Sequence, residues 1–516
     1  MTMNKTWDAA SGPRLNSIQL DRAVGAVVAS AAGDALGSPY EFGAELGDDQ
    51  VPSFGVGVFG HERGEWTDDT AMAMPILEAA ARGESLHDPD TLASIVRRWR
   101  VWSATAKDVG IQTRSVLGQL GDSATEATAR KAAQAVHERF GRSGGNGSLM
   151  RTGPVALGYL ADGTEDRLAE AAGRIAQLTH FEQDNVDAVV LWSFAIRHAI
   201  RTGELKPTAG LPWLDEDRRP TWTGLIDEAT AAGRHPRDFT AKNGWVVKAF
   251  QAALAAVAGA SDVREALYRA VRGGGDTDTV AAIAGSLAGA VWGATQVPLG
   301  WQRLLHGWPD CTTNDLTRLA VLAARRGRND AYGWPSASAV PSNHLLHTSP
   351  TRHPHDAGVW LGSQSALREL PPSVDAVVSL CRVGVAEVPS DLEKVRVWLV
   401  DQPRSNANLE WTLVDAADVI AELRSEGKEV FVHCAEARSR TASVAAAYAI
   451  RHRGVEPDDA WLAVERVLPY FAPAPFHRDA LARAAARWAA EAGTPTLSSG
   501  KWKAIEEQIP LDSSGT

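Results

Sequence analysis

Cysteine is scarce: three residues, Cys311, Cys381 and Cys434, in a chain of 516. An odd number spread so thinly is no disulfide framework and points to a reducing compartment, the cytoplasm. Long, strongly apolar runs are also missing. The nearest approach, Val280–Val297 (VAAIAGSLAGAVWGATQV), is mostly alanine and glycine. That composition predicts a close-packed buried helix rather than a membrane span. The first residues, MTMNKTWDAASGPRLNSIQLD, hold no apolar stretch of the export-signal kind. Positive charge is not in excess: the net charge of −11 excludes a large sequence-independent nucleic-acid surface. No internal repeat is visible. Apolar residues, by contrast, are plentiful at 44%, with 22% charged, so the chain is globular. Its length predicts two or three domains.

From residue 18 to about residue 326 the pattern is helical. DRAVGAVVASAAGDALG, DTAMAMPILEAAARG, DTLASIVRRWRVWSATA, NVDAVVLWSFAIRHAIRTG and WVVKAFQAALAAVAGA repeat apolar residues at i, i+3 and i+4. Several stop at glycine, the usual helix terminator. The texture changes at 327–343, which is rich in Pro, Ser and Asn without periodicity and reads as a linker. Beyond it, short β-type runs (GVWLG, VDAVVSLC, VRVWLVD, EVFVHC) alternate with helical stretches. Such alternation predicts a mostly parallel α/β sheet with flanking helices over residues 344–491. The tail, 492–516, reads as loosely attached.

The most specific motif is Val432-His433-Cys434-Ala435-Glu436-Ala437-Arg438-Ser439-Arg440-Thr441. A β-run ends at His433 and a helical run begins near Arg440. A loop at such a turn points backbone N–H groups inward and makes an anion cradle over Ala435 to Ser439. The helix dipole and Arg440 lower the pKa of Cys434 toward a reactive thiolate. Arg440 can hold two phosphate oxygens, and the Thr441 hydroxyl can hydrogen-bond the thiolate.

This segment resembles the cysteine-dependent phosphatases of the dual-specificity group, with their HCxxxxxR motif followed by Ser or Thr. The resemblance implies a phosphocysteine route, no cofactor in this domain, and a general acid on a separate loop. Asp401, in VRVWLVDQPRSNANLEW, occupies the corresponding place. One departure stands out: the family often has glycine at the third loop position, where this chain has Ala437. If that position needs positive φ, alanine strains or reshapes the cradle. Cys381 and Cys311 read as structural. Trp308-Pro309-Asp310 spells the acid-loop signature of tyrosine phosphatases but lies in the helical region, where a turn between helices is expected.

Three other segments cluster acids beside Ser or Thr: Gly33 to Phe42 with Asp34 and Glu41, Glu65 to Thr70, and Gly273 to Thr279. The second and third open helical runs, where one acid caps a helix but two plus flanking threonines exceed a cap's needs. Carboxylate and hydroxyl oxygens without His or Cys are hard ligands suited to Mg²⁺ or Mn²⁺. Converging carboxylates repel unless cations neutralise them, and two divalent ions match the charge.

These segments resemble the ADP-ribosylglycohydrolases, including the activating glycohydrolase of dinitrogenase reductase. The resemblance implies an all-helical fold with two metal ions among loops at helix starts. It makes Thr67, Asp68, Asp69, Asp276, Asp278 and Thr279 metal ligands and Glu41 an acid reaching the scissile ribose. Gly144 to Arg151 (GGNGSLMR) is similar to the family loop whose backbone approaches ribose and diphosphate, which assigns Asn146, Gly147 and Ser148 to substrate. Thr179-His180 is similar to the family's TH pair, with His180 near the distal ribose. Asp34 reads as a helix-packing polar group, and Met150 and Arg151 as a core contact and a salt-bridge partner.

A bifunctional hydrolase is therefore expected. One domain would remove ADP-ribose from a modified protein, nucleic acid or small molecule with two Mg²⁺ or Mn²⁺. The other would cleave a phosphomonoester, with Cys434, Arg440, Asp401 and Thr441 as its machinery. The competing reading is a non-catalytic ADP-ribose reader that recruits an active phosphatase. A third couples both cleavages on one acceptor.

Overall fold

The computed structural model describes residues 14–340 and 346–493. The expected tail falls outside these from residue 494 on. Contacts divide the chain into two compact units: Met1–Asn343 with Ser379–Asn408, and His344–Val378 with Leu409–Thr516.

The first unit is helical apart from short strands. It is organised around two helices, Ser17–Gly37 and Thr277–Trp292. The former starts with a reciprocal cap: Asn16 Oδ1 accepts the Gln19 amide at 2.9 Å, and Gln19 Oε1 accepts the Asn16 amide at 3.1 Å. Small residues let the two helices touch backbone to backbone. A β-carbon at Gly289 would sit 2.0 Å from the Gly25 carbonyl oxygen, and one at Gly37 would sit 2.5 Å from Asp278 Cα. The alanine- and glycine-rich run is thus a buried packing helix, as its composition predicts. Among the described residues no helix is long and apolar enough to cross a membrane.

The described part of the expected linker, 327–340, is irregular but packed. Trp334 is buried. Asp330 accepts the Tyr332 and Trp334 amides at 2.9 and 3.0 Å and pairs with Arg382 at 3.0 Å. Residues 379–408 are tied into the same unit. Trp398 Nε1 donates to Ser17 Oγ at 3.2 Å, and Asn408 Nδ2 donates to the Trp292 carbonyl at 2.7 Å. Trp308–Asp310 forms the turn between the strands His306–Gly307 and Cys311–Thr312, which pair antiparallel.

The second unit carries a mixed sheet. Its neighbouring strands run in the order Thr351–His353, Asp356–Ser363, Glu429–Cys434, Val374–Ser379. The first pair is antiparallel, and the second is parallel with Ser363 opposite Cys434. The helices Leu409–Ser425 and Arg440–Arg453 pack beside the strand that ends at Cys434. A parallel strand feeding directly into a helix aims the connecting loop at the C-terminal edge of the sheet, where α/β proteins bind ligands.

Candidate functional sites

In the helical unit three chain segments bring carboxylates together. Asp34 lies near the end of the helix Ser17–Gly37, Asp68 and Asp69 open the helix Asp68–Ala81, and Asp276 and Asp278 flank the start of Thr277–Trp292. Glu41 follows the tight turn Ser38–Tyr40. Carboxylate oxygens of Asp34, Asp69 and Asp278 lie within 4.8 Å of one another, as do those of Glu41, Asp276 and Asp278.

Asp34 is the scaffold of this cluster. One oxygen accepts the Thr67 amide and hydroxyl at 2.9 and 2.7 Å, and the other accepts those of Thr70 at 2.9 and 2.6 Å. Four donors fill the acceptor capacity of a carboxylate. Its proximity to Asp69 and Asp278 therefore does not make it a ligand, and its packing role matches the sequence expectation. The Thr67 hydroxyl sits between Asp34 Oδ1 at 2.7 Å and Asp69 Oδ2 at 3.2 Å. Thr279 Oγ1 reaches Asp69 Oδ2 at 3.5 Å.

The electrostatics are those of crowded, buried acids. Burial, then Asp276 and Asp108, push Glu41 up to about 8. Burial, then Asp108, Asp34 and Asp276, push Asp68 to about 8. Asp69 and Asp278 lie well above the usual carboxylate range for the same two reasons. Asp276 is raised by burial even though Asn146 hydrogen-bonds it. One oxygen, Asp69 Oδ1, is buried with no hydrogen-bond partner. An all-oxygen donor set with raised proton affinity and one unpartnered buried oxygen fits hard divalent cations.

The neighbouring loop is held against this cluster. Asn146 Nδ2 donates to Asp276 Oδ2 at 2.7 Å and to the Asn243 carbonyl at 3.1 Å. Ser148 is buried and accepts from Asn185 Nδ2 at 2.7 Å. A β-carbon at Gly147 would lie 3.1 Å from His180 Cε1, so the buried His180 ring backs the loop directly. Thr179 Oγ1 bonds His180 Nδ1 at 2.7 Å and accepts from Arg151 at 2.6 Å. Burial and the Arg151 charge keep His180 neutral at pH 7. Arg151 is no salt-bridge partner among the described residues. Fully buried, it lies over the Trp99 ring at 4.1 Å, a cation–π contact in place of an ion pair. Sequence reasoning missed Asp108, Asn185 and Asn243, which lie in no motif and reach the site only through the fold.

In the second unit the strand ending at Cys434 passes through Ala435–Ser439 into the helix Arg440–Arg453. Burial of Cys434 opposes ionisation. The Arg440 charge, the Thr441 hydroxyl and the Thr441 and Glu436 amides outweigh it and hold the thiol below its ordinary value. Ser439 makes no side-chain cap to the helix, and the Thr441 amide of its first turn points at Cys434. The loop is latched from both sides. The Gln364 amide donates to the Ala435 carbonyl at 3.3 Å, Ala472 to the Arg438 carbonyl at 3.0 Å, and Ala474 to Ser439 Oγ at 3.1 Å. His433 is buried and stacked on Phe431. Ala437 adopts φ +56, so the position does use the left-handed conformation. Arg438 is exposed, and Glu436 is half-buried. Asp401 lies in an exposed turn of the segment 379–408.

A helical unit with clustered buried acids and an α/β unit with a cysteine phosphate loop define a chain of two hydrolase-type sites. Residues 15–331 match the ADP-ribosylglycohydrolase family model, and residues 360–485 match that of the dual specificity phosphatase catalytic domain. The chain belongs to the ADP-ribosylglycohydrolase family and carries a second, phosphatase-family domain; both are hydrolase families. It is 28% identical over 287 residues to ADP-ribosylarginine hydrolase Tri1 of Pseudomonas putida (strain GB-1), covering 55% of this chain and 73% of that protein. It is 27% identical over 300 residues to ADP-ribosyl-[dinitrogen reductase] glycohydrolase of Rhodospirillum rubrum, covering 54% and 89%. The crystal structure of human DUSP28 aligns at 25% identity with a TM-score of 0.23, covering 26% of this chain and 95% of that one.

Proposed function

We propose that the first unit hydrolyses the glycosidic bond between ADP-ribose and a modified acceptor with two divalent cations, Mg²⁺ or Mn²⁺. The second would hydrolyse a phosphomonoester through Cys434. The observation that carries the first half is the orphaned Asp69 oxygen among carboxylates whose proton affinity burial and mutual repulsion raise. Thr67, Asp68, Asp69, Asp276, Asp278 and Thr279 would hold the ions. Bound there, they supply positive charge that orients the ribose hydroxyls and a water at C1″. This chain's own residues do the rest. Asp34 fixes the Thr67–Thr70 turn, Asn146 holds Asp276, and His180 backs the loop whose Asn146, Gly147 and Ser148 would face the ribose and diphosphate. Glu41, pushed up to about 8 by burial and then by Asp276 and Asp108, is suited to exchange a proton at the scissile ribose.

In the second unit the lowered Cys434 thiol is the nucleophile, and Arg440 with the Ala435–Ser439 amides receives the phosphoryl oxygens. Thr441 would stabilise the departing thiolate, and the motif resemblance alone makes Asp401 the candidate for the acid that protonates the leaving oxygen. Three cysteines not joined by a disulfide support a reducing compartment such as the cytoplasm.

The test is release of ADP-ribose from a panel of ADP-ribosylated acceptors with Mg²⁺, with Mn²⁺ and with EDTA, beside turnover of an aryl phosphate. Cation-dependent release together with EDTA-insensitive phosphatase activity is expected. Tight ADP-ribose binding without release from any acceptor would instead establish the reader.

A further inference from the structure

The first unit holds a cavity of about 410 Å³ that shares no residue with the acid cluster. It lies between the helices Leu299–Leu304 and Thr313–Ala324 on one side and residues 385–396, ending in the strand Glu393–Arg396, on the other. Both sides belong to the same unit. The buried Leu299, Leu305 and Val395 give it an apolar wall. Its charged groups are the cations Arg303, Arg318, Lys394 and Arg396 and the carboxylates Asp315 and Glu393. Cations thus outnumber carboxylates here, in a chain whose net charge is −11. Both carboxylates are already engaged. Glu393 accepts from Arg303 Nε at 2.5 Å. Asp315 accepts the Thr312 amide and hydroxyl, each at 3.1 Å, and lies 3.6 Å from Arg318. Lys394 and Arg396 form no ion pair among the described residues. Arg396 Nε is buried without a hydrogen-bond partner, and Nη2 reaches the Gly384 carbonyl at 3.5 Å. Burial lowers the Arg396 pKa, Asp315 offsets this in part, and the like charge of Arg318 adds to it.

A guanidinium with a buried, unsatisfied N–H and a second arginine beside it lacks the counter-charge that a buried ion needs. An anion entering the cavity supplies it. A phosphomonoester brings about two negative charges at neutral pH and three acceptor oxygens. It can therefore engage the forks of Arg396 and Arg318 and the ammonium of Lys394 together, which a two-oxygen carboxylate does less well. Inorganic phosphate would leave the Leu299, Leu305 and Val395 wall and most of the volume uncovered, whereas an organic body fills them. We propose that this cavity binds a small organic phosphate, about the size of a mononucleotide, with Arg396 as its main anchor. Neither hydrolase reading is needed for it.

The experiment titrates the full chain with adenosine 5′-monophosphate in EDTA, followed by calorimetry. Cys434→Ser with Arg440→Ala removes turnover of the probe and the anchor of the phosphate loop, so that binding at the cavity is read by itself. The probe should still bind this chain, and adding Arg396→Gln should weaken its affinity by at least about tenfold. Arg396→Lys, which keeps the charge but not the fork, should fall between the two. Lys394→Ala, at a half-buried position, should weaken binding a few-fold and serves where Arg396→Gln does not fold. Adenosine, inorganic phosphate and succinate should all bind more weakly than the monophosphate. Loss of all binding in the chain without Arg440, or equal affinity with and without both Arg396 and Lys394, would overturn the site. Equal affinity for inorganic phosphate would overturn the organic occupant, and equal affinity for adenosine or succinate would overturn the phosphate.

Discussion

The two sites are built on the same local device, the N-terminus of a helix, and use it in opposite ways. At Asp68–Ala81 and Thr277–Trp292 some of the helix-start amides are taken by carboxylates. Asp34 takes the Thr67 and Thr70 N–H groups, and Asp278 takes that of Thr279 at 2.8 Å. The carboxylates crowded at these two starts raise one another's proton affinity, and such a site calls for cations. At Arg440–Arg453 the N-cap Ser439 gives no side-chain cap, and the Thr441 amide turns to Cys434. That amide and the Arg440 charge stabilise a thiolate. What a helix start binds is thus decided by the side chains placed at it.

The sharpest way to break that contrast is at the anion cradle. Cys434→Ser keeps nearly the same shape but replaces an ionisable thiol with a hydroxyl that stays protonated at neutral pH. Turnover of an aryl phosphate is expected to fall by about 10³-fold or more, with phosphate affinity, read by calorimetry, preserved. Glycohydrolase activity should not change.

Next comes the cation site. Asp278→Asn removes a carboxylate shared by both acid groupings and should lower Mg²⁺-dependent ADP-ribose release by about 100-fold, with aryl phosphatase activity intact. The acids also fix a pH signature. Glu41 and Asp68 rise from ordinary carboxylate values of 4.5 and 3.8 to about 8 in the folded chain. Groups raised in this way stabilise the fold at pH below 4, and that contribution is lost as pH climbs through 8. Without cations the melting temperature should therefore fall between pH 5 and pH 8.5. Mg²⁺ should raise it more at pH 8.5 than at pH 5. An EDTA-treated sample whose stability rises across that range would contradict the crowded-acid account.

Asn146→Ala should act more gently. It deletes the 2.7 Å donor to Asp276 but no carboxylate. We expect Mg²⁺ affinity to weaken by roughly tenfold, measured by titration calorimetry, with less effect on kcat at saturating cation.

How much of each site could be read in advance follows from the same contrast. The phosphate loop is contiguous, so Cys434, Arg440 and Thr441 were legible from spacing and from the β-to-helix switch around them. The acid cluster is assembled from residues 34 to 278. Its members were legible as motifs, but their geometry was not. Nothing in the order of residues says that Asp34 would be saturated by Thr67 and Thr70 or that Asn146 would turn to Asp276. Asp108 had no motif at all. The helical periodicity and the strand–helix alternation gave the fold class, because burial follows those periods. The anchoring of 379–408 and the packing of 327–340 in the first unit come from tertiary contacts that local composition does not encode.

The smallest expected effect is at Ala437, where three terms nearly cancel. The left-handed conformation at φ +56 costs an alanine about 1–2 kcal/mol. Replacing it by glycine relieves that strain. It also gives the unfolded chain more freedom, at a cost of about 0.5–1 kcal/mol. Loss of the methyl, which is 1% exposed, removes about 0.8 kcal/mol of burial. Ala437→Gly should therefore leave the stability of the second unit within about 1 kcal/mol of its starting value, measured by urea denaturation. Its consequence should appear in the cradle instead. Freed from the β-carbon, the 437–438 peptide can tilt its amide toward the bound anion, so KM for an aryl phosphate should fall a few-fold while kcat stays level. An unchanged KM would mean that the latches at Ala435, Arg438 and Ser439, rather than the residue at the left-handed position, set the shape of the cradle.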